Sequence, residues 1–221
     1  MICIPIMARN TAEAVEKIGR ANPLADLLEL RLDVMESFSL ADMIQEASKP
    51  VIVTYRSRKE GGHNYSDDET RAHHLLNAIE EKADYVDLEY NMPPDLRDQI
   101  LQNRRESRII SSVHVLDSTP SGEELERMLN GLAETGADIV KIVTRAQQPE
   151  DNLRVMDLIP IATEMGLKII ALCMGEKGRI SRVASLLFGG YLTFASLDKG
   201  EESADGQIPV KEMREILAAF K

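Results

Sequence analysis

Eight short apolar segments, rich in β-branched residues, recur along the chain, and a helical pattern follows each of them. Strands that alternate with helices in this way are typical of a parallel sheet built from right-handed βαβ units. The predicted strands are Ile2–Met7, Leu27–Leu32, Val51–Tyr55, Tyr85–Leu88, Ile109–Val113, Ile139–Val143, Lys168–Leu172 and Tyr191–Ala195. Eight such units predict a closed (β/α)8 barrel, a TIM barrel of the α/β class, that spans residues 1–221 as a single domain.

An open, doubly wound parallel sheet is the alternative architecture for the same alternation. Such sheets often bind dinucleotides on a glycine-rich turn after the first strand, whereas that position here reads Ala8-Arg9-Asn10-Thr11. The sequence contains no Walker-type phosphate loop either. Both observations favour the closed barrel.

Two of the predicted helices begin with the signature of a capping box, a serine followed three residues later by a glutamate. The pairs are Ser66 with Glu69 and Ser121 with Glu124. We therefore expect helices to start directly after Ser66 and Ser121.

The charge balance and the two cysteines limit the cellular setting and the partners. The chain has 26 basic and 37 acidic residues, and its net charge of −11 opposes binding to nucleic acid or to an anionic membrane. No stretch approaches the ~20 apolar residues of a membrane span, and the first apolar run is too short for the core of a secretion signal. Cys3 and Cys173 lie inside apolar runs, which favours a reducing cytoplasm over a disulfide scaffold.

Polar residues alternate with apolar ones at the ends of several predicted strands. From Leu28 to Asp33 the leucines share one face and the charged residues share the other, because strand side chains alternate between faces. The polar residues with this alternation are Glu29, Arg31, Asp33, Thr54, Arg56, Asp87, Glu89, Ser112, His114 and Lys141. If the leucines pack on helices, the polar groups meet inside the barrel, at the end where barrel enzymes hold their active sites. A buried ion-pair network that only fixes strand register is the structural alternative.

Lys141 has the clearest chemical role in this cluster. Lysine is rarely buried without a function, and an amine that is desolvated near other cations becomes a nucleophile toward carbonyl carbon. His114 ends the preceding strand, which puts an imidazole that exchanges protons near neutral pH one strand away. The sequence therefore predicts Schiff-base chemistry at Lys141, with His114 as acid and base. The alternative for His114 is a histidine that only makes structural hydrogen bonds.

Loops after the third and seventh predicted strands, at the mouth of the barrel, carry candidate site residues. After the third strand, Gly61 and Gly62 form a tight loop that either holds Glu60 over the mouth or is an ordinary turn. After the seventh strand, Arg182 lies in the first turns of a helix, where it suits a carboxylate or phosphate, although a solvated basic loop is the alternative. The remaining histidines lack the spacing of a metal site and are predicted to lie on the surface; they are His63, His73 and His74.

Six ordered motifs over nearly the whole chain resemble those of the type I 3-dehydroquinate dehydratases. The motifs are Glu29-Leu30-Arg31-Leu32-Asp33, Thr54-Tyr55-Arg56 with Glu60-Gly61-Gly62, Ser112-Val113-His114 with Thr119-Pro120, Ala137-Asp138-Ile139-Val140-Lys141, Met174-Gly175 with Ser181-Arg182, and Ala204-Asp205-Gly206-Gln207. The family usually has a proline where this chain has Asp205.

The resemblance implies a (β/α)8 barrel that converts 3-dehydroquinate to 3-dehydroshikimate plus water in the shikimate pathway, without a cofactor or a metal. By position, Lys141 would form the Schiff base, His114 would be the general acid and base, and Glu60 would orient His114. The implied substrate-binding residues are Glu29, Arg31, Arg56, Met174, Arg182, Phe194, Ser203 and Gln207. Family precedent also implies a homodimer.

Two other functions fit the same residues. A class I aldolase shares the barrel and a lysine on a strand but breaks a carbon–carbon bond. A noncatalytic barrel that binds small carboxylates would use Lys141 only as an ionic ligand.

Overall fold

The strands are the frame that positions every other part of the molecule. The computed structural model describes residues 1–220; Lys221, the last residue of the predicted domain, lies outside the described residues. The strands are β1 (Ile2–Ile6), β2 (Leu27–Arg31), β3 (Val51–Thr54), β4 (Tyr85–Glu89), β5 (Arg108–His114), β6 (Ile139–Arg145), β7 (Lys168–Met174) and β8 (Thr193–Phe194). Each overlaps a predicted strand, which confirms the alternation read from the sequence.

Helices connect the carboxyl end of each strand to the start of the next. They are α1 (Thr11–Ala21), α2 (Leu40–Glu46), α3 (Asp68–Glu80), α4 (Pro94–Gln102), α5 (Gly122–Ala133), α6 (Asp151–Met156), α7 (Leu158–Glu164), α8 (Arg179–Leu187) and α9 (Val210–Ala218). Short 3-10 turns at Leu32–Val34, Arg58–Glu60 and Glu176–Gly178 extend three of the loops above the barrel. Within residues 1–220, no helix is both long and apolar enough to cross a bilayer.

The eight strands form one parallel sheet that curls into a nearly closed barrel. Hydrogen-bonded neighbours run in the order β7-β6-β5-β4-β3-β2-β1-β8, and every pairing is parallel. At the seam between β7 and β8, the main-chain N–H of Tyr191 donates to the carbonyl of Ile169 at 2.7 Å. The predicted TIM barrel is confirmed.

The core has one layer outside the sheet and one inside it. Leu28, Leu30 and Leu32 belong to the outer layer, which packs the strands against the helices. The inner layer consists of Cys3, Leu27, Ile52, Tyr85, Ile110, Ile139, Ile170, Leu172, Leu192 and Phe194. Glu29 and Arg31 point the other way from the leucines and line the cavity above this inner layer. The apolar layer thus fills the barrel and leaves the polar groups at its carboxyl end.

Three local predictions have different outcomes. Ser121 caps α5 with a full capping box, as predicted. The predicted box at Ser66 is wrong, because Asp67 caps α3 and the Ser66 hydroxyl pairs with the Tyr55 hydroxyl at 2.8 Å. Strand β8 is shorter than predicted, because the chain turns at Ser196 to pair with the segment before α9.

Candidate active site

All eleven predicted site residues line one cavity at the carboxyl end of the barrel. The cavity has a volume of about 280 Å³, which is near the lower limit for small-molecule sites. The eleven are Glu29, Arg31, Arg56, Glu60, His114, Lys141, Met174, Arg182, Phe194, Ser203 and Gln207. Strand ends supply the wall and floor, and the loop after β8 supplies the roof.

Lys141 lies on the wall of this cavity, in the middle of β6. Its side chain is 5% exposed, and its Nζ donates a hydrogen bond to Asp87 Oδ2 at 2.8 Å. The Nζ also lies 4.6 Å from the centre of the Phe194 ring. The sequence predicted cations around this amine, whereas its direct ionic partner is a carboxylate.

Asp87, on β4, is the anion at the centre of the network below the cavity. It also forms an ion pair with Arg56 at 2.9 Å and accepts a hydrogen bond from the Ser112 hydroxyl at 2.6 Å. Burial alone would favour a protonated carboxyl, but Arg56 and Lys141 hold the pKa of Asp87 well below its usual range. A fixed negative charge therefore lies beside the Lys141 amine.

His114, at the end of the neighbouring strand β5, forms a second pair with Glu60. Glu60 Oε2 lies 2.9 Å from His114 Nδ1 and accepts from the His114 main-chain N–H at 3.0 Å. The Asn91 side chain donates to the other oxygen, Glu60 Oε1, at 3.0 Å. Among residues 1–220, the second ring nitrogen of His114 has no hydrogen-bond partner. It is the ring atom available for proton exchange.

The environment shifts the pKa values of this pair in opposite directions. Burial, followed by the nearby Glu89 carboxylate, raises the pKa of Glu60 to about 7. Burial, together with the positive charges of Arg56 and Lys141, lowers the pKa of His114 well below its ordinary value. His114 is therefore neutral at neutral pH, as a general base must be.

Arg182 is a buried cation without a carboxylate partner in residues 1–220. Arg182 lies in the first turns of α8, and only 2% of the residue's surface is exposed. Its Nη2 donates to the main-chain oxygen of Asp205 at 3.0 Å, while its Nε has no partner in the same part of the chain. Burial lowers the pKa of Arg182 to about 10, so it remains charged at neutral pH. An unpaired buried guanidinium is a site for an anion.

The other cations of the cavity are already paired. Arg31 makes a two-point ion pair with Asp33 at 2.8 and 2.9 Å. Arg56 contacts Asp87 and also Glu89, at 3.1 Å. These contacts fix both side chains before any ligand binds.

The roof of the cavity is the segment 203–207. Gln207 accepts from the Ser203 main-chain N–H and donates to the Ser203 hydroxyl, both at 2.9 Å. Gly206 has a φ of +80°, and an added Cβ would lie 2.3 Å from the Gly175 carbonyl oxygen. The roof is therefore a self-braced turn that touches the loop after β7 backbone to backbone.

Sequence reasoning missed several residues of the site. Asn91 continues the alternation of Asp87 and Glu89, and Arg145 continues that of Lys141, so an extended period-two pattern would have found both. Arg71 carried a different signal, a charged residue on the apolar face of α3. Its guanidinium is buried and lies 2.6 Å from Glu89 Oε2.

The histidine predictions outside the site are partly confirmed. His63 and His73 are exposed, as predicted. His74 is half-buried instead, because its ring stacks on Tyr55 and meets the edge of Phe38. Within residues 1–220, no three His, Cys, Asp or Glu side chains are grouped so that they could hold a metal ion.

Comparisons with known proteins agree over the whole chain. The family model "Type I 3-dehydroquinase" matches residues 2–221. The 3-dehydroquinate dehydratase of Pyrococcus abyssi is 37% identical over 219 residues, which cover 98% of this chain and 97% of the relative. That of Methanococcus maripaludis strain C7 is 35% identical over 221 residues, 98% of each chain. The structure of the type I 3-dehydroquinate dehydratase of Clostridium difficile with covalently modified comenic acid has a TM-score of 0.91 at 26% identity, and the match covers 99% of this chain and 91% of that one. This chain therefore belongs to the type I 3-dehydroquinase family.

Proposed function

We propose that this protein dehydrates 3-dehydroquinate to 3-dehydroshikimate in the shikimate pathway through a Schiff base on Lys141. The observation that carries the proposal is the shared cavity, which presents a lysine amine, a neutral imidazole and an unpaired guanidinium. These are the three groups that the reaction needs, namely a nucleophile, a proton carrier and an anchor for the substrate carboxylate.

The first step is imine formation. Lys141 releases one proton to solvent on becoming an amine, and its Nζ then attacks the C3 ketone and passes a proton to the carbonyl oxygen. The resulting carbinolamine hydroxyl takes up one proton from solvent and leaves as water, and a protonated C3=N bond remains. The Asp87 carboxylate, which lies 2.8 Å from Nζ before the reaction, stabilises the positive charge of this iminium. The iminium is itself an electron sink, so the following step requires no metal or cofactor.

The second step is elimination of water. His114 takes the C2 proton, and the electron pair of that bond moves toward the iminium nitrogen. The resulting imidazolium then gives its proton to the C1 hydroxyl, which leaves as water while the C1=C2 double bond forms. Glu60 holds the His114 ring through Nδ1 and stabilises the imidazolium between the two transfers. Hydrolysis of the imine releases the enone product and restores Lys141.

The remaining cavity residues bind the substrate. Arg182 takes the carboxylate, since its charge has no carboxylate partner among residues 1–220. Glu29, Arg31, Arg56, Ser203 and Gln207 contact hydroxyl groups, while Met174 and Phe194 provide apolar contact. The geometry of the paired residues is set before binding, which limits the entropy lost on binding.

We test this proposal by borohydride reduction of the protein mixed with 3-dehydroquinate. The expected result is a mass increase on the peptide that contains Lys141, together with enone absorbance in an unreduced sample. Lys141→Ala should lose the adduct and stay folded, and Lys211→Ala, on exposed α9, is the matched lysine control. An unmodified wild-type peptide without enone absorbance would sink the proposal and leave the noncatalytic barrel.

His114→Ala separates dehydration from other Schiff-base reactions. This variant should still form the reducible imine, because the amine is intact, but turnover should be nearly lost. Cleavage of the carbon skeleton by the wild-type protein would instead identify an aldolase. Turnover of His114→Ala near the wild-type rate would show that His114 is not the acid and base.

We further propose that the protein is a cytoplasmic homodimer. Ile180 and Leu187 of α8, and Phe188 directly after it, expose 58%, 46% and 66% of their surfaces, which fits a self-association surface. Cys3 and Cys173 are free, buried thiols, which fits a reducing compartment. Sedimentation of the wild type and of Phe188→Glu tests the dimer, since only the wild type should sediment as two chains.

A further inference from the structure

Asp205, in the cavity roof, is bonded to helix α8, to the loop after β7 and to the end of strand β6. Its main-chain oxygen accepts from Arg182 Nη2 at 3.0 Å and from the Gly175 N–H at 3.1 Å. Its carboxylate lies 2.9 Å from Arg145 Nη2. Asp205 therefore binds buried Arg182 through its main-chain oxygen and Arg145, at the cavity rim, through its carboxylate.

Arg145 ends β6, four residues after Lys141, and lines the cavity rim. Its Nε donates to the Leu116 main-chain oxygen at 2.7 Å, and its Nη2 reaches Asp205. The Leu116 side chain lies 3.4 Å from where a Cβ on Gly61 would be, next to Glu60 in the chain. One guanidinium thus bridges the loop after β5 and the roof.

We propose that Arg145 and Asp205 are positioning residues that orient Arg182 for the substrate carboxylate. The connection runs from the Arg145 guanidinium to the Asp205 carboxylate, and from the Asp205 carbonyl to Arg182. The inference rests on the proposed function, because it takes Arg182 as the anchor of the substrate carboxylate. Neither Arg145 nor Asp205 needs to touch the reacting atoms.

The need for such a connection follows from the bonding of Arg182. A guanidinium has five N–H donors, yet within residues 1–220 the Arg182 side chain makes one hydrogen bond, to the Asp205 carbonyl. Its orientation therefore depends on the position of that carbonyl. The two-point geometry of a carboxylate on a guanidinium is sensitive to such orientation.

The size of the effect follows from exposure. The Arg145 and Asp205 side chains are 37% and 68% exposed, and a solvated ion pair of this kind changes an equilibrium by about two- to five-fold. The loss should appear in KM, because Arg182 binds the carboxylate and takes no part in proton transfer. The wild-type value of kcat should be nearly retained.

The experiment is a double-mutant cycle with Arg145→Met, Asp205→Asn and the double variant, assayed by enone absorbance over a range of 3-dehydroquinate concentrations. Each single variant should raise KM about two- to five-fold, and the double variant should match the single ones because all three lack the same pair. The difference from wild type should shrink at about 0.5 M salt, where exposed charges are screened.

Two further variants give the upper and lower limits for the expected change in KM. Arg182→Ala should raise KM at least about ten-fold, since it removes the charged anchor itself. Arg214→Met is the matched control, because Arg214 makes the same two kinds of contact away from the cavity. Its guanidinium forms a partly exposed ion pair with Asp26 at 2.9 Å and donates to the main-chain oxygen of Leu24. Its KM should equal that of the wild type.

The outcomes separate the two hypotheses. If Arg145→Met and Asp205→Asn leave KM unchanged while Arg182→Ala raises it, the positioning inference is wrong and the proposed function stands. Effects that multiply in the double variant, or that fall on kcat, also overturn the inference. If the wild type itself makes neither enone nor adduct, the proposed function fails first.

Discussion

Replacing Glu60 by glutamine should change the pH dependence of the reaction as well as its rate. The proposed base is neutral His114, and one proton added to the His114–Glu60 pair blocks it, whichever of the two groups carries the proton. Burial and Glu89 place the pKa of Glu60 at about 7, so this first proton binds near neutral pH. In the wild type, kcat/KM should therefore rise as the pH increases through about 7.

The magnitude follows from that pKa. At about pH 6 roughly one-eleventh of the pair is unprotonated, and at about pH 8 roughly ten-elevenths is, which gives about a ten-fold increase in kcat/KM. In Glu60→Gln the acidic group is gone, and the next proton binds to His114, whose pKa is well below its ordinary value. The ratio of kcat/KM at about pH 8 to that at about pH 6 should then fall to about one. The value of kcat/KM itself should drop by about two orders of magnitude, because the imidazolium loses the Glu60 carboxylate.

The assay is the initial rate of enone formation at low substrate concentration, measured across this pH range for both proteins. Glu80→Gln, an exposed glutamate on α3, is the matched control and should keep the wild-type profile. A Glu60→Gln profile that still rises ten-fold would refute the reasoning, because another group would then control the proton. Borohydride trapping at each pH checks that imine formation is not the step being measured.

Three further changes test the frame of the site. Gly206→Ala should raise KM by about ten-fold, because the new Cβ would clash with the Gly175 backbone and φ at this position is +80°. Gly200→Ala is the control for backbone strain alone, since Gly200 has a φ of +90° and open space around it. It should change KM by less than about two-fold. Asp33→Ala should lower the free energy of unfolding by about 3 kcal/mol in urea titrations, since it leaves Arg31 charged and unpaired at the cavity wall. Ser121→Ala should cost about 1 kcal/mol in the same titrations through loss of the α5 cap, and leave KM unchanged. An unfolding energy of Asp33→Ala equal to that of the wild type would contradict the buried-pair argument.

The barrel was predictable because its signal is local and repeated. Leucines on one face and charges on the other, as in the segment Leu28–Asp33, specify both the strand and the direction in which each side chain points. The same alternation predicts the polar strand residues of the cavity, whereas Met174, Phe194, Ser203 and Gln207 were predicted only through the resemblance to a known family. Local patterns of this kind do not depend on the rest of the fold.

The partners of the site residues were not predictable, because they depend on contacts between distant segments. Asp87 was recognised as an inward-facing acid, yet its hydrogen bond to Lys141 joins residues that are 54 positions apart. The ion pair of Arg145 with Asp205 spans 60 positions. The wrong capping box at Ser66 has a similar cause, since the tertiary contact with Tyr55 occupies its hydroxyl and leaves the cap to Asp67.

The seam of the barrel has a consequence for how the molecule opens. At this seam, between β7 and β8, the main-chain N–H of Tyr191 donates to the Ile169 carbonyl, and β8 shares only two paired positions with β1, whereas β6 and β7 share seven. Amide hydrogens near β8 should therefore exchange with solvent earlier than those of β6. The two sides of this seam carry Met174 and Phe194, which border the same cavity. A ligand that contacts both residues should stabilise the barrel at the seam between β7 and β8. Bound substrate should therefore slow hydrogen exchange at the seam more than elsewhere. We also expect product release to require a local opening of the barrel between β7 and β8.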